Sequence, residues 1–332
     1  MVLFPECKPS AGLVGIARMA AEADLLEAKR RVEYRELESK SLVSRVSNPW
    51  MPFRWTINPY RGCEFGCKYC YARYTHEFME LRDTDQFETL IFAKHFDAAA
   101  FRRELARIPR EDKIAIGTAT DPYQPAERRY GVTRQILEAL TTERGRAFSI
   151  ISKSDLIARD ADVFTEIARY NTMHVMQTIT TVDTALARIL EPSAPRPELR
   201  VESVRRLASA GLGVVVMNSP VLPLINDSRQ SLAAVASAVR QAGASYFTAQ
   251  TLFLKECARK AFFPMLEAKF PHLVRKYRER YGTGSGYLKG AYPEMIAERV
   301  RSVREEFGLT RKLQDAPPDV WIAEVDQLSL FG

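Results

Sequence analysis

Three cysteines at the spacing C-x3-C-x2-C constrain this chain more than any other feature. They are Cys63, Cys67 and Cys70. A structural zinc or a fully ligated iron–sulfur cluster takes four protein ligands, whereas a catalytic metal keeps one position open. His76 is the nearest further candidate, and Cys7 and Cys257 are isolated. Three cysteines could hold a [4Fe–4S] cluster with one iron open to a substrate or cofactor; a zinc knuckle and three coincidental cysteines are the alternatives.

The cysteine spacing, with an aromatic residue (Tyr69) before the last cysteine, closely resembles the radical S-adenosylmethionine (SAM) superfamily. The resemblance implies that the amino acid end of SAM chelates the open iron. One electron from the cluster then splits SAM into methionine and a 5′-deoxyadenosyl radical. It therefore implies two cofactors, the cluster and SAM, and an external electron donor such as flavodoxin or ferredoxin. The three cysteines would be the metal ligands and catalytic residues, and Tyr69 would help to bind SAM.

Composition indicates an enzyme in a reducing compartment. The 332 residues contain no apolar run of eighteen or more and no pattern of a secretion signal near the start, so we expect neither a membrane span nor secretion. Five cysteines, three of them clustered, argue against a disulfide framework and for the cytoplasm. The net charge of +7 is compatible with a polyanionic partner, although basic enzymes that never touch nucleic acid are common.

The chain divides into four predicted parts. Residues 1–50 form a lead-in whose composition favours a helix from Gly15 to about Glu38. Residues 51–253 form the catalytic core, residues 254–309 a helical extension, and residues 310–332 a flexible tail. The tail begins with a proline-containing linker.

The core alternates between strand and helix. Predicted strands lie at 55–58, 114–118, 148–152, 174–180, 214–218 and 246–251, with an extra strand at 87–93. Predicted helices lie at 97–108, 133–143, 155–170, 198–210 and 227–241. This alternation predicts an α/β fold with a parallel sheet, and six units are too few for an eight-stranded barrel. The resemblance implies a partial (β/α)6 barrel of the TIM type, with the cysteine loop after its first strand and helical additions at both ends.

Five segments that end the predicted strands narrow the family. Residues 58–73, 117–127, 152–155, 178–183 and 223–227 resemble, in order, the spore photoproduct lyase-like family of DNA repair photolyase relatives. The resemblance implies that strand-end residues hold SAM. Thr118 and Thr120 would reach its amino or carboxylate group, Lys153 its carboxylate, and Thr178 its ribose. A single Thr or Lys at such a position is otherwise an ordinary strand terminus.

One departure from the family bears on function. Spore photoproduct lyases carry a cysteine near the end of the second strand that returns a hydrogen atom to the product radical, and Thr118 stands at the matching position. A threonine hydroxyl is a far poorer hydrogen-atom donor than a thiol. Cys257 is either a substitute donor or a buried spare cysteine. We therefore expect a radical generator with another substrate or another terminating step.

The C-terminal region carries two further signals. Residues 254–307 interleave basic and aromatic residues, which predicts either a nucleic-acid surface or amphipathic helices with buried aromatics. The tail ends in a segment that resembles the bacterial sliding-clamp binding peptide, formed by Gln327, Leu328, Ser329, Leu330 and Phe331. Its apolar anchors suit a groove on a partner, or alternatively the protein's own surface.

These features together predict a radical SAM enzyme that acts on a damaged or modified DNA base and is recruited by a sliding clamp. The target base would need to leave the stack to reach the radical. The enzymatic alternatives are modification of RNA, a peptide or a small metabolite. The non-enzymatic alternative is an iron–sulfur adaptor at the replisome, which would not cleave SAM.

Overall fold

The computed structural model describes residues 13–28, 32–49, 51–282 and 286–311. Cys7, the centre of the Gly-rich turn at 283–285, the linker from residue 312 and the tail segment at 327–331 lie outside the described residues. Within the described residues, no helix is both long enough and apolar enough to span a membrane.

Eleven strands form in the described part of the chain. They are β1 (Leu25–Ala28), β2 (Glu33–Leu37), β3 (Val43–Arg45), β4 (Trp55–Ile57), β5 (Tyr60–Arg61), β6 (Leu90–Lys94), β7 (Ile114–Ile116), β8 (Ala147–Ser152), β9 (Thr172–Thr178), β10 (Val214–Val221) and β11 (Tyr246–Thr251).

The helices mostly alternate with the later strands. They are α1 (Gly15–Ala21), α2 (Tyr74–Glu77), α3 (Gln86–Thr89), α4 (Ala98–Ala106), α5 (Glu127–Tyr130), α6 (Val132–Leu140), α7 (Ala161–Ala168), α8 (Thr184–Leu190), α9 (Pro197–Ser209), α10 (Arg229–Gln241), α11 (Glu256–Lys269), α12 (Val274–Tyr281) and α13 (Ala291–Glu306). Short 3-10 helices lie at Tyr71–Arg73, Asp155–Asp160 and Pro271–Leu273.

The larger sheet is the predicted partial barrel. Its strand order is β11-β10-β9-β8-β7-β4-β3, with every neighbouring pair from β4 to β11 parallel and β3 antiparallel at the edge. The six parallel strands overlap the six predicted from the sequence, and the intervening helices overlap the predicted helices. The α/β fold class and the partial (β/α)6 architecture are thus confirmed.

Burial explains why these segments form strands and amphipathic helices. All three residues of β7 are buried, as expected for a strand covered on both faces. Helix α6 turns Ile136, Leu137 and Leu140 into the core, and the spacing of these residues keeps one helical face apolar. Because parallel strands end together, the loops after β4, β7, β8, β9, β10 and β11 meet at one rim of the barrel.

A smaller sheet corrects the prediction for the lead-in. The predicted helix ends at Ala21, and the segment that follows forms β1 and β2 in a sheet of order β1-β2-β6-β5. Strand β2 pairs in parallel with β6, where Glu33 lies opposite Leu90, and it buries Tyr34 and Leu37 completely. This distant pairing outweighs the helix propensity of the segment. The predicted extra strand at 87–93 is β6, which joins this smaller sheet.

The C-terminal helices bury their aromatic residues. Tyr277 and Tyr281 on α12 are completely buried, whereas Arg278 lies at the surface and pairs with Glu267 at 2.7 Å. The amphipathic alternative therefore holds for this helix. The segment after α13 covers the edge of β11. There the carbonyl of Leu309 accepts a hydrogen bond of 3.3 Å from the backbone nitrogen of Phe247.

Candidate active site

A cavity opens at the rim of the barrel. Its volume is about 370 Å³, and its lining includes the three cysteines of the loop after β4. The lining also takes in the ends of β7, β8, β9, β10 and β11. The structure thus brings Cys63, Cys67, Cys70 and the strand-end residues predicted for SAM into one cavity.

Two glycines let the cysteine loop pack tightly. Gly62 has a φ of +78°, and a Cβ atom there would lie 2.8 Å from the carbonyl oxygen of Leu90. Gly66 has a φ of +63°, and its Cβ would lie 2.9 Å from Oε2 of Glu88. At Gly62 the left-handed backbone and the fixed carbonyl oxygen exclude a larger side chain, whereas at Gly66 the left-handed backbone is the main reason for glycine.

Hydrogen bonds hold the loop from the barrel side. The Thr120 hydroxyl donates to the carbonyl of Gly62 at 2.6 Å, and Nε2 of Gln124 donates to the same carbonyl at 3.0 Å. The buried Arg73 guanidinium donates to the carbonyl of Cys67 at 3.0 Å. The backbone nitrogen of Cys63 donates to the carbonyl of Phe87 at 2.8 Å. These contacts fix the loop backbone before any ligand binds.

His76 is not placed to be a fourth ligand. It is buried, and its Nε2 lies 3.1 Å from the carbonyl oxygen of Leu90. Burial lowers the pKa of His76 to about 4, so the ring is neutral near pH 7. The imidazole packs edge-on against the rings of Phe87 and Phe92, so its environment is that of a core residue.

The three cysteines fit a cluster better than a single metal ion. In the described chain, the three sulfurs do not all lie within 4.8 Å of one another. A tetrahedral zinc with Zn–S bonds of about 2.3 Å would draw its sulfurs to about 3.8 Å apart. Burial raises the pKa of all three thiols, so they stay protonated until metal coordination removes the proton. Thiolate donors at this spacing suit iron–sulfur ligation.

Thr118 lines the cavity but is tied to its neighbours. Its hydroxyl lies 2.5 Å from the hydroxyl of Thr56, and its carbonyl accepts a hydrogen bond of 2.5 Å from the phenol of Tyr71. Asn58 completes this junction, because its Oδ1 accepts from the backbone nitrogen of Ala119 at 2.8 Å. The ends of β4 and β7 are thereby locked together.

Lys153 lies at the end of β8, where a buried carboxylate shapes the backbone. Asp121 accepts from the backbone nitrogen of Lys153 at 2.7 Å and from the Ser152 hydroxyl at 2.7 Å. The side chain of Lys153 lines the cavity, with Nζ 5.7 Å from the centroid of the Tyr69 ring. Burial raises the pKa of Asp121, and the hydrogen bonds from Lys153 and Ser152 oppose that rise.

Thr178 and Tyr69 lie on the cavity side of a buried polar network. Thr178 ends β9 and is buried. The Tyr69 phenol lies 3.2 Å from the Thr180 hydroxyl and donates to the carboxylate of Glu191. The Thr180 hydroxyl also donates to Glu191, at 2.6 Å.

Aromatic side chains form part of the cavity wall near the loop. Phe253 follows β11 and stacks on Tyr287, with ring centroids 4.2 Å apart. The Tyr71 ring lies 6.1 Å from the Phe253 ring, and all three residues line the cavity. We call Tyr71, Phe253 and Tyr287 the aromatic wall.

Several residues of the site escape sequence reasoning. Asp121 stands inside a segment that resembles the family, so its position signals a role. Glu191, Phe253 and Tyr287 stand in no motif recognised from the sequence, and only the folded chain brings them to the loop and the cavity. Cys257, by contrast, is buried in α11, and its thiol donates to the carbonyl of Tyr71 at 3.4 Å.

Sequence comparison identifies relatives of this chain. Residues 57–235 match the radical SAM superfamily. An uncharacterized protein of Mycobacterium tuberculosis is 36% identical over 303 residues, covering 90% of this chain and 88% of the relative. An uncharacterized protein of Methanocaldococcus jannaschii is 26% identical over 204 residues, covering 59% of this chain and 71% of the relative.

Structural comparison finds the same fold in spore photoproduct lyase. The complex of that enzyme with dinucleoside spore photoproduct aligns with a TM-score of 0.64 at 12% identity, covering 92% of this chain and 86% of the other. A double mutant with bound AdoMet and the same dinucleoside aligns with a TM-score of 0.64 at 12% identity, covering 90% and 84%. At this identity the likeness concerns the fold.

Proposed function

We propose that this chain, which belongs to the radical SAM superfamily, acts on a damaged or modified base in DNA. Membership of the superfamily implies an enzyme with a [4Fe–4S] cluster and SAM. The substrate is the proposal, and one observation carries it: the cavity joins the three cysteines of the loop to the aromatic wall.

The residues of this chain would hold the two cofactors at the rim of the barrel. Cys63, Cys67 and Cys70 would ligate the cluster, which together with SAM supplies a 5′-deoxyadenosyl radical by one-electron cleavage of SAM. Lys153 would provide the cation for the SAM carboxylate, since its side chain lines the cavity beside the loop. Thr178 would contact the ribose. The Thr120 hydroxyl donates to the carbonyl of Gly62, so Thr120 would support the cluster loop rather than contact SAM as predicted.

The aromatic wall supports a planar substrate. A nucleobase presents a flat π-face, and stacking on an aromatic side chain contributes about 1–3 kcal/mol per base. Phe253 and Tyr287 already stack on each other, so they offer a preformed surface rather than one that must be assembled. A base in duplex DNA would have to leave the stack to reach it. Spore photoproduct lyase, which shares the fold, has been captured with a dinucleoside.

The terminating step would differ from that of spore photoproduct lyase. Among the described residues that line the cavity, the cysteines are those of the cluster loop, and Thr118 stands where the family resemblance expects a hydrogen-atom donor. Cys257 points its thiol at the Tyr71 backbone. Burial raises the pKa of Cys257 to about 11, as for a structural thiol. We therefore propose that the product differs from that of spore photoproduct lyase.

Recruitment to DNA would depend on the tail. The segment formed by Gln327, Leu328, Ser329, Leu330 and Phe331 offers three apolar anchors and an amide, which suit the groove of a bacterial sliding clamp. The net charge of +7 favours approach to a polyanion. A small electron-transfer protein such as flavodoxin or ferredoxin would supply the electron.

The test is anaerobic incubation of the reconstituted protein with SAM, a reductant and ultraviolet-damaged duplex DNA, followed by mass spectrometry of the released nucleosides. We expect one damaged nucleoside to fall and a new one to appear, in step with 5′-deoxyadenosine. Phe253→Ala should weaken DNA binding about tenfold to a hundredfold, the fold-change that matches the loss of one stack. Phe78→Ala is the matched control, because that ring is 50% exposed and does not line the cavity.

Two results would redirect the proposal. SAM cleavage that leaves every DNA nucleoside unchanged would move the substrate to RNA, a peptide or a small metabolite. A cluster-loaded protein that does not cleave SAM at all would instead be an iron–sulfur adaptor.

A further inference from the structure

A buried ion pair lies directly behind the cysteine loop. Glu191 follows α8 and Arg200 stands in the first turn of α9, and each is 1% exposed. Nη2 of Arg200 lies 2.6 Å from Oε2 of Glu191. Removing two charges from water is costly, and such a pair is weak evidence for stability by itself. Its position points to a task at the loop.

Glu191 holds the loop through the side chain of Tyr69. Its Oε1 accepts from the Tyr69 phenol and from the Thr180 hydroxyl. Tyr69 lies between Cys67 and Cys70 in sequence, so the carboxylate fixes a ring in the middle of the ligand set. The arrangement is almost completely buried, which keeps its hydrogen bonds free from competition by water.

The backbone on either side of Glu191 also contacts the loop. The nitrogen of Lys68 donates to the carbonyl of Leu190 at 2.9 Å, and the nitrogen of Ser193 donates to the carbonyl of Phe65 at 3.2 Å. Residues 190–193 therefore run along the loop from Phe65 to Tyr69. Thr120 and Arg73 hold the loop at other points, through Gly62 and Cys67 respectively.

We infer that Glu191 is a positioning residue for the cluster loop, and that its charge, offset by Arg200, sets the reduction potential of the cluster. A fixed carboxylate near a cluster ligand disfavours the added electron, whereas a fixed cation favours it. The inference rests on the cluster that the superfamily implies and is independent of the DNA substrate.

The groups around Glu191 determine its charge state. Burial is the largest single influence and favours the neutral form of Glu191. The charges of Arg200 and Lys153, together with the hydrogen bonds from Thr180 and Tyr69, outweigh it and hold the pKa of that carboxyl below its usual range. The carboxylate is thus ionised at pH 7 and places a buried negative charge beside the loop.

The experiment is a redox titration of the reconstituted full chain, followed by electron paramagnetic resonance. Glu191→Gln keeps the size of the side chain and removes its charge, so the midpoint potential should rise. Arg200→Met removes the opposing cation, so the potential should fall at alkaline pH, where Glu191 stays ionised without that partner. The double variant should lie between the two single variants, and Glu191→Asp, which keeps the charge, should stay near the wild-type value. Tyr69→Phe should shift the potential less than Glu191→Gln, because it removes a hydrogen bond but no charge.

A second buried ion pair, remote from the loop, serves as a control for the effect of losing an ion pair on stability. Glu143 and Arg146 form another largely buried ion pair at 2.7 Å, at the opposite end of β8 from Lys153. Glu143→Gln should lower the melting temperature without changing the potential.

The inference fails if Glu191→Gln and Arg200→Met shift the potential in the same direction, or if neither shifts it while the cluster is intact. It also fails if Glu191→Asp and Glu191→Gln both lose the native fold, because the pair would then serve folding alone.

Discussion

The hydroxyl of Thr120 donates a hydrogen bond of 2.6 Å to the carbonyl of Gly62, the residue before the first cluster cysteine. This bond joins the end of the second barrel strand to the loop that follows the first. It also turns a hydroxyl that was predicted to contact SAM toward the protein. Nε2 of Gln124 donates to the Thr120 oxygen at 3.0 Å, so the hydroxyl is engaged both as donor and as acceptor.

Thr120→Val should therefore weaken cluster retention. The wild-type protein, reconstituted without oxygen, should hold about four irons per chain. The variant should assemble the cluster but lose iron faster to a chelator, because it lacks a buried hydrogen bond that contributes about 1 kcal/mol. Iron release followed by absorbance is the measurement. Cys63→Ala should hold no intact cluster, and Thr165→Val, which removes a similar bond within α7, should match the wild type. Stoichiometric zinc in place of iron would contradict the cluster assignment.

Lys153→Ala should weaken SAM binding about tenfold to a hundredfold, the fold-change for a charged hydrogen bond of about 1.5–3 kcal/mol. The cluster should still assemble, since Lys153 is not one of its expected ligands and its Nζ lies 5.7 Å from the centroid of the Tyr69 ring. Equilibrium binding of SAM and the rate of 5′-deoxyadenosine formation measure the effect. Lys113→Ala is the control, because Lys113 lines the cavity at the opposite end of the strands. Wild-type SAM cleavage by Lys153→Ala would make this lysine structural.

His76 should make the fold sensitive to acid. Its pKa is about 4 in the folded protein and 6.5 when unperturbed, so between these values the unfolded chain binds more protons. Stability is therefore fully present above pH 6.5 and falls as the pH drops toward 4. By pH 5 the loss is about 2 kcal/mol. Urea unfolding at pH 7 and pH 5 measures it. His76→Gln should reduce the change in the free energy of unfolding between pH 7 and pH 5. An unchanged difference would show that other groups control the loss of stability in acid.

Deleting residues 327–332 should abolish binding to a bacterial sliding clamp and leave SAM cleavage unchanged. Short linear motifs bury little surface and lose free energy on ordering, so the intact chain should bind with micromolar affinity. Leu330→Ala combined with Phe331→Ala should have the same effect, because these residues are the expected anchors. Binding to the immobilised clamp is the measurement. Full binding by the truncated chain would place the contact elsewhere.

The sequence predicted the barrel well because its strands are short buried runs between helical segments, and local patterns specify such elements. It failed at β2, whose partner β6 lies more than fifty residues away and competes with a strong helix propensity. Because Thr118, Thr120 and Lys153 follow predicted strands, the sequence places them at the rim. It does not reveal the orientation of their side chains. Glu191 meets Tyr69 across 122 positions of the chain, a contact that no local pattern reveals.

The most direct test of the proposed function follows hydrogen from substrate to cofactor. Duplex DNA carrying deuterated nucleosides, damaged with ultraviolet light, would be incubated without oxygen with the reconstituted protein, SAM and a reductant. Mass spectrometry of the 5′-deoxyadenosine is the measurement. If the radical abstracts hydrogen from a DNA base, the 5′-deoxyadenosine will carry deuterium. The Cys67→Ala variant should form no 5′-deoxyadenosine. Active cleavage of SAM that yields 5′-deoxyadenosine free from deuterium would contradict a DNA substrate.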